Sequence, residues 1–191
     1  MKRVDVEQLS ERVLILNLYA TQAIVLAVAC VLLWWHDWLS LDLWGVQSWT
    51  VWLWGCGTGL LIVCVDLLLT RLLPEYMIDQ TGINEKLFKS QPVWHIFVMT
   101  LLIAFAEELL FRGALQPHLG IFWTSVLFTA IHFRYLKQWL MMTAVFFMSL
   151  GLGSLVLMTH SLMASTVAHF VVDFTLGVLI RLGKLDFFIH R

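Results

Sequence analysis

Two adjacent carboxylates and an arginine lie inside a long apolar run of this chain. Glu107 and Glu108 are followed by Arg112, and the flanking residues, 96–106 and 114–115, are almost entirely apolar. A charged side chain at the centre of a bilayer costs about 2.5–3.5 kcal/mol on insertion scales, so such a cluster needs partners or a function. Carboxylates held away from bulk water are suited to activating a water molecule by general-base catalysis.

Helical spacing predicts different surroundings for the two glutamates. Glu108 and Arg112 are four residues apart, so they can form an ion pair on one helix face. Glu107 is rotated by about 100° from Glu108 and points elsewhere. We therefore expect Arg112 to neutralise and orient Glu108, while Glu107 stays available for chemistry. An ion-paired clamp between helices, with no reaction, is the alternative interpretation.

Two histidines follow further along the chain, each four residues from a potential partner. Phe128 can stack on His132 and shield its imidazole, and His169 and Asp173 face the same side of their helix. A carboxylate one turn from an imidazole can hold its tautomer and orientation. Taken singly, His132 could be an interfacial residue and the His169–Asp173 pair could be purely structural. Together with the glutamates they fit water activation, by general-base action or around a metal.

The sequence lacks the motifs of other intramembrane hydrolases. It contains no H-E-x-x-H zinc motif and no G-x-S-x-G nucleophile elbow. We also find no pair of intramembrane aspartates of the G-x-G-D type. A glutamate–histidine site is what remains.

The elements that must position these residues are membrane-spanning helices. Of the 191 residues, 60% are hydrophobic and 13% are charged, whereas soluble domains have about 45–50% apolar and 25% charged residues. The composition predicts an all-α, polytopic transmembrane bundle, forming a single domain over residues 1–191 with a motif-bearing core at 92–182. The net charge of −1 and the lack of a basic tract indicate no nucleic-acid partner.

About six spans are predicted, since each takes about 20 residues. Their ranges are 13–35, 47–73, 92–115, 121–133, 139–158 and 162–180. Tight turns are expected at 117–120 and 159–161, and a short surface segment at 84–89 within the polar stretch 74–91. The glutamates then lie on the third span, His132 on the fourth and His169 on the sixth.

The distribution of lysine and arginine predicts the orientation. Apart from Arg112, all of them fall in the N-terminal tail, segment 71–89, loop 134–137 or the C-terminal tail. The alternate loops, 36–46, 116–120 and 159–161, carry none. By the positive-inside rule both termini are predicted to be cytoplasmic. The three cysteines lie in or near apolar runs and are predicted to be buried thiols.

The three motifs, taken as an ordered set, resemble the CPBP family, the CAAX-protease and bacteriocin-processing group also called Abi. The set is E-E-x-x-x-R at 107–112, F-x-x-x-H at 128–132 and H-x-x-x-D at 169–173. This family is related to the type II CAAX prenyl endopeptidases. The motifs cover about a third of the chain, and the segment 82–88 is also similar to bacterial members.

The resemblance implies an α-helical membrane endopeptidase. Glu107 would be the general base, His132 would position the water, and His169 with residue 173 would stabilise the oxyanion. Glu108 and Arg112 would hold the site together. The family often has asparagine at the last position, where this chain has Asp173. An ionised aspartate cannot donate a hydrogen bond to an oxyanion, so Asp173 is expected to orient His169 or to be protonated.

Cofactor, substrate and partner are left open by the sequence. Family members include both metalloproteases and metal-independent glutamate proteases, so a divalent metal such as zinc, bound by Glu107, His132 and His169, is one expectation, and no metal is the other. The expected partners are the lipid bilayer of a bacterial cell membrane and a peptide or membrane-protein substrate. The oligomeric state is not predicted.

Two non-proteolytic functions remain as alternatives. One is a non-catalytic scaffold, such as a bacteriocin-immunity or partner-binding protein on the same fold. The other is a proton or ion pathway, because intramembrane Glu and His also build relays. The few polar residues in the first span argue against a continuous polar track.

Overall fold

The computed structural model describes residues 10–35, 44–45, 48–73, 82–132 and 138–184, and it is helical throughout its regular elements. The elements are α1 Glu11–Trp35, α2 Trp49–Leu72, α3 Ile83–Phe88, α4 Val93–Glu108, a π-helical segment Leu109–Leu115, α5 Gln116–Ile131, α6 Trp139–Thr159 and α7 Leu162–Arg181. The predicted loop residues 36–43, 74–81 and 133–137 and both chain ends lie outside the described residues.

Five helical runs are long and apolar enough to cross a membrane: α1, α2, the continuous 39-residue run Val93–Ile131, α6 and α7. The predicted all-α, multi-pass membrane bundle is confirmed. The long run combines the predicted third and fourth spans, which the sequence separates by a turn.

The chain reverses direction at Gly120, inside the 39-residue run. Gly120 has φ 72° and ψ 167°, a left-handed conformation that glycine adopts without a steric penalty. The rings of Phe111 and Phe128 lie 4.9 Å apart, whereas a straight helix would separate these residues by about 25 Å. The predicted turn at 117–120 is therefore present, and α5 packs back against the π-helical segment.

Helix ends collect into two opposite ends of the bundle. At one end Ser90 donates to Glu11, with 2.7 Å between the oxygens, and Arg181 donates to the Lys89 carbonyl at 3.2 Å. At the other end the Ser161 hydroxyl donates to the Trp44 carbonyl at 2.6 Å. Apart from Arg112, the lysines and arginines among the described residues belong to helix ends of the first kind. We call these the charged end and the neutral end.

Helix α7, which carries His169, is held by close packing against α2. A Cβ atom on Gly55 would lie 2.8 Å from the Ala164 carbonyl oxygen, and one on Gly59 would lie 2.7 Å from that of Ala168. Small residues at such positions let membrane helices approach backbone to backbone. The two glycines thus fix the position of α7 relative to α2.

The prediction of buried cysteines is wrong. Cys30, Cys56 and Cys64 are free thiols exposed on the outer faces of α1 and α2. The membrane explains the error. Lipid tails are as apolar as leucine, so a cysteine with apolar neighbours in the sequence of a membrane protein can face lipid instead of packing inside the bundle.

Candidate active site

The two glutamates lie at a change of helical geometry. Helix α4 ends at Glu108, and the next seven residues, Leu109–Leu115, form the π-helical segment. Such segments are rare and occur frequently at functional sites. Both carboxylates are inside the bundle: Glu107 is 7% exposed and Glu108 is fully buried.

Glu108 is held by one residue from its own run and one from α7. Its Oε1 atom lies 3.2 Å from Arg112 Nη1 and 2.9 Å from His169 Nδ1. The ion pair predicted from the four-residue spacing is therefore present. The contact with His169 spans 61 residues of chain, so local spacing could not predict it.

Arg112 in turn is fixed by α5 and α6. Its Nη2 donates to the backbone oxygen of Ser149 at 3.2 Å and to the Ser149 hydroxyl at 3.1 Å. Its guanidinium carbon lies 4.7 Å from the centre of the Phe128 ring, within the range of a cation–π interaction. The planar fork of arginine suits it to this combination of stacking and paired hydrogen bonds.

Glu107 faces α1 instead. Gln22 Nε2 donates to Glu107 Oε1 at 3.0 Å, and both side chains are buried. Arg112 and His169 are near enough for their charges to interact with Glu107. Gln22 was not among the site residues predicted from the sequence, although a long polar side chain in a span with few polar residues is a signal that could have identified it.

Phe128 and His132 form the contact that their spacing predicts. The two rings are 4.7 Å apart between centroids and tilted by 33°. His132 Nδ1 lies 2.7 Å from the Phe128 carbonyl oxygen, which can only accept, so Nδ1 carries a proton. In the neutral ring the lone pair is then on Nε2. Phe128 also lies edge-on to His169, with 6.2 Å between ring centroids.

His169 lies between two carboxylates. Nδ1 faces Glu108, and Nε2 lies 3.5 Å from Asp173 Oδ2. Carboxylate oxygens accept hydrogen bonds, so this arrangement suits a ring that carries protons on both nitrogens. The contact between His169 and Asp173 that their four-residue spacing predicts is therefore present.

The residues do not assemble into a metal-binding group. Among the described residues, no three His, Cys, Asp or Glu side chains lie together in a way that could hold a metal ion. Both ring nitrogens of His169, one of the three predicted ligands, are directed at carboxylates. The site as built therefore does not fit the ligand set of Glu107, His132 and His169, and we derive no step through a metal.

Comparison with known proteins identifies the family. Residues 89–175 match the model of the type II CAAX prenyl endopeptidase Rce1-like family, and this segment includes all three motifs. The chain is also 38% identical over 141 residues to the uncharacterized protein YpbD of Bacillus subtilis (strain 168), covering 74% of this chain and 75% of that protein. No solved structure matches the chain. The chain belongs to the type II CAAX prenyl endopeptidase Rce1-like family.

Proposed function

We propose that this protein is an intramembrane endopeptidase in which Glu107 activates the water that attacks a peptide bond. The observation that carries the proposal is the unequal use of two neighbouring glutamates. Glu108 is fully buried, with one oxygen shared between Arg112 and His169. Glu107 accepts a hydrogen bond through Oε1 from Gln22, whereas its Oε2 accepts none from the described part of the chain. Membership of a CAAX-endopeptidase family supports peptide hydrolysis as the reaction.

In the proposed reaction, the Glu107 carboxylate removes one proton from water as the water oxygen bonds to the carbonyl carbon. The carbonyl π electrons move to the oxygen and form a tetrahedral oxyanion. When the oxyanion collapses, the C–N bond breaks, and the proton held by Glu107 passes to the leaving nitrogen. General-base catalysis of this kind contributes about 10²–10⁴-fold to a rate.

The two histidines have different proposed tasks. His132 donates from Nδ1 to the Phe128 carbonyl, so its Nε2 is suited to accept a hydrogen bond from the attacking water. His169 is oriented by Glu108 through Nδ1 and lies 3.5 Å from Asp173 through Nε2. In the proposed reaction the Nε2 proton leaves this long contact and donates to the oxyanion. Asp173 is then a positioning residue for His169, and Arg112 keeps Glu108 charged.

We propose a peptide or a membrane-protein segment as the substrate, and a bacterial cell membrane as the location. Six crossings with the charged end facing the cytoplasm follow from the lysine and arginine distribution. The N- and C-terminal segments would then both be cytoplasmic.

The test compares purified wild type with Glu107→Gln and Glu108→Gln in detergent, on a library of quenched fluorescent peptides. We expect Glu107→Gln to lose at least about 100-fold in cleavage rate, because its amide cannot act as a base, while its melting temperature stays near that of wild type. Glu108→Gln is expected to lower the melting temperature as well. Addition of a chelator is expected to leave wild-type cleavage unchanged.

Equal cleavage by wild type and folded Glu107→Gln would overturn the proposal. A non-catalytic scaffold or immunity protein would then be the better interpretation. Loss of wild-type cleavage on adding chelator would instead show that the water is bound by a metal, which would require the site to rearrange.

A further inference from the structure

We propose that Gln22 on α1 is a positioning residue for the catalytic carboxylate, a role that rests on the proposed function of Glu107. The family motifs lie between residues 107 and 173, so α1 is outside them. In the structure, α1 nevertheless supplies the hydrogen bond to the carboxylate of Glu107.

The contact is specific in its geometry. Gln22 Nε2 donates to Oε1 of Glu107 at 3.0 Å across 85 residues of chain, and Gln22 itself is 6% exposed. A hydrogen bond to a carboxylate is stronger than one between neutral groups. It fixes the rotation of the Glu107 side chain and assigns Oε1 to Gln22, which leaves Oε2 to receive the proton of the water.

Stability alone does not explain this glutamine. The Gln22 side-chain oxygen is buried and has no hydrogen-bond partner among the described residues. A buried polar atom left unpaired costs free energy. Leucine or methionine at this position would avoid that cost for the Gln22 oxygen but would remove the donor to Glu107 Oε1. Because the other end of the same amide contacts Glu107, the gain has to be sought in the orientation of the carboxylate.

A second buried glutamine offers a matched comparison. Gln116 is also 6% exposed and also donates through Nε2, but it does so to the backbone oxygen of Gly153, at 3.1 Å. Its contact joins α5 to α6 and involves no carboxylate. A substitution there tests the effect of losing a buried amide without disturbing Glu107.

The experiment uses Gln22→Met, Gln22→Leu and the control Gln116→Met in the full-length protein, with one quenched peptide that wild type cleaves. Both replacements at position 22 are apolar and of similar size, so they suit an apolar helix. We expect kcat to fall about 100-fold in either variant, since a carboxylate displaced by about 1 Å can cost that much. KM should change less than about twofold, because the lost interaction acts on the reaction step and not on ground-state binding.

The melting temperature separates positioning from a structural role. The Gln22 variants should lose no more melting temperature than Gln116→Met, which also gives up one buried amide hydrogen bond. The value of kcat should fall in the Gln22 variants, whereas Gln116→Met should retain wild-type kcat. A Gln22 variant that is folded and keeps kcat within twofold of wild type would overturn the inference. So would a loss in kcat that is matched by a similar loss in Gln116→Met.

The double variant Gln22→Met/Glu107→Gln adds a second readout. If Gln22 acts through Glu107, its substitution has no further effect once Glu107 is replaced. An additional loss in the double variant would contradict the inference but not the proposed function. Wild-type cleavage equal to that of Glu107→Gln would remove the proposed function itself, and the inference with it.

Discussion

The two neighbouring carboxylates of α4 have different hydrogen-bond and ionic partners on the side that faces α7 and on the side that faces α1. Towards α7, Glu108 is fully buried between a guanidinium and an imidazole. Towards α1, Glu107 retains a small exposed surface, and its hydrogen bond comes from a neutral amide. Glu108 is therefore in direct contact with two groups that can carry positive charge, whereas the direct hydrogen bond to Glu107 comes from a neutral group.

In the proposed function, this difference separates the carboxylate that supports the site from the one that reacts. A buried carboxylate that is neutralised by close ionic partners is a poor proton acceptor, since taking a proton would break the pairing. A carboxylate whose direct hydrogen bond comes from a neutral amide can take a proton without breaking a contact ion pair. Adjacent positions in the sequence can therefore have opposite roles, because a helix turns about 100° from one residue to the next.

The largest effect on stability is expected from breaking the buried ion pair of Glu108 with Arg112. Arg112→Met leaves Glu108 fully buried and opposed only by His169, and removing one partner of a buried pair costs about 3–5 kcal/mol. We expect the free energy of unfolding, measured by titration with denaturing detergent in mixed micelles, to fall by this amount. Cleavage should be lost as a consequence of the disordered site.

A compensating substitution checks the cause. In Arg112→Met/Glu108→Leu both members of the buried ion pair are replaced, so most of the lost stability should return, because apolar replacement of a whole buried pair is often neutral. Activity should not return, since His169 then lacks the partner of its Nδ1. If the double variant were as unstable as the single one, the loss would come from packing around Phe128 and Ser149.

An intermediate effect on stability and kcat is expected from displacing α7 by a substitution that changes no charged residue. A Cβ on Gly59 would lie 2.7 Å from the Ala168 carbonyl oxygen, so Gly59→Leu must push α7 and His169 away. Overpacking of this kind costs about 1–3 kcal/mol, and kcat should fall with it. The control is Gly57→Leu, where a Cβ meets nothing within 4 Å. Equal behaviour of the two variants in melting temperature and kcat would contradict the role of this contact.

The smallest effect is expected at an exposed ion pair. Lys89 Nζ lies 2.6 Å from Glu85 Oε1, closer than the 3.2 Å of Arg112 and Glu108, but these side chains are 62% and 59% exposed. Exposed pairs contribute about 0–1 kcal/mol, so Lys89→Ala should change the free energy of unfolding by less than about 1 kcal/mol and leave kcat unaltered. A loss of stability as large as that of Arg112→Met would show that the distance between the charged atoms, and not their burial, determines how much each ion pair contributes.

The sequence predicted what depends on local spacing. The ends of α6 and α7, the ion pair of Glu108 with Arg112 and the stacking of Phe128 on His132 all follow from helical periodicity and composition. The reversal at Gly120 was predicted because proline and glycine interrupt an apolar run there.

Contacts between distant helices could not be predicted in the same way. The bonds from Gln22 to Glu107 and from His169 to Glu108 depend on which faces of the helices meet. In a membrane protein both lipid-facing and buried faces are apolar, so hydrophobic periodicity does not identify the inner face. The π-helical segment is likewise invisible, since its residues resemble those of any apolar helix.

If the protein acts as proposed, the position of His169 along α7 has a consequence for substrates. It is the eighth residue from the neutral end of that helix, which places it about 10 Å below the rim at 1.5 Å per residue. An extended chain covers about 3.3 Å per residue. A substrate that enters from the neutral end must therefore have about three residues in extended conformation before one of its peptide bonds reaches the imidazole. From the charged end the distance is about 18 Å, or about five to six residues. A segment that stays helical presents no accessible carbonyl at that depth, so local helix instability in the substrate would decide which bonds are reached.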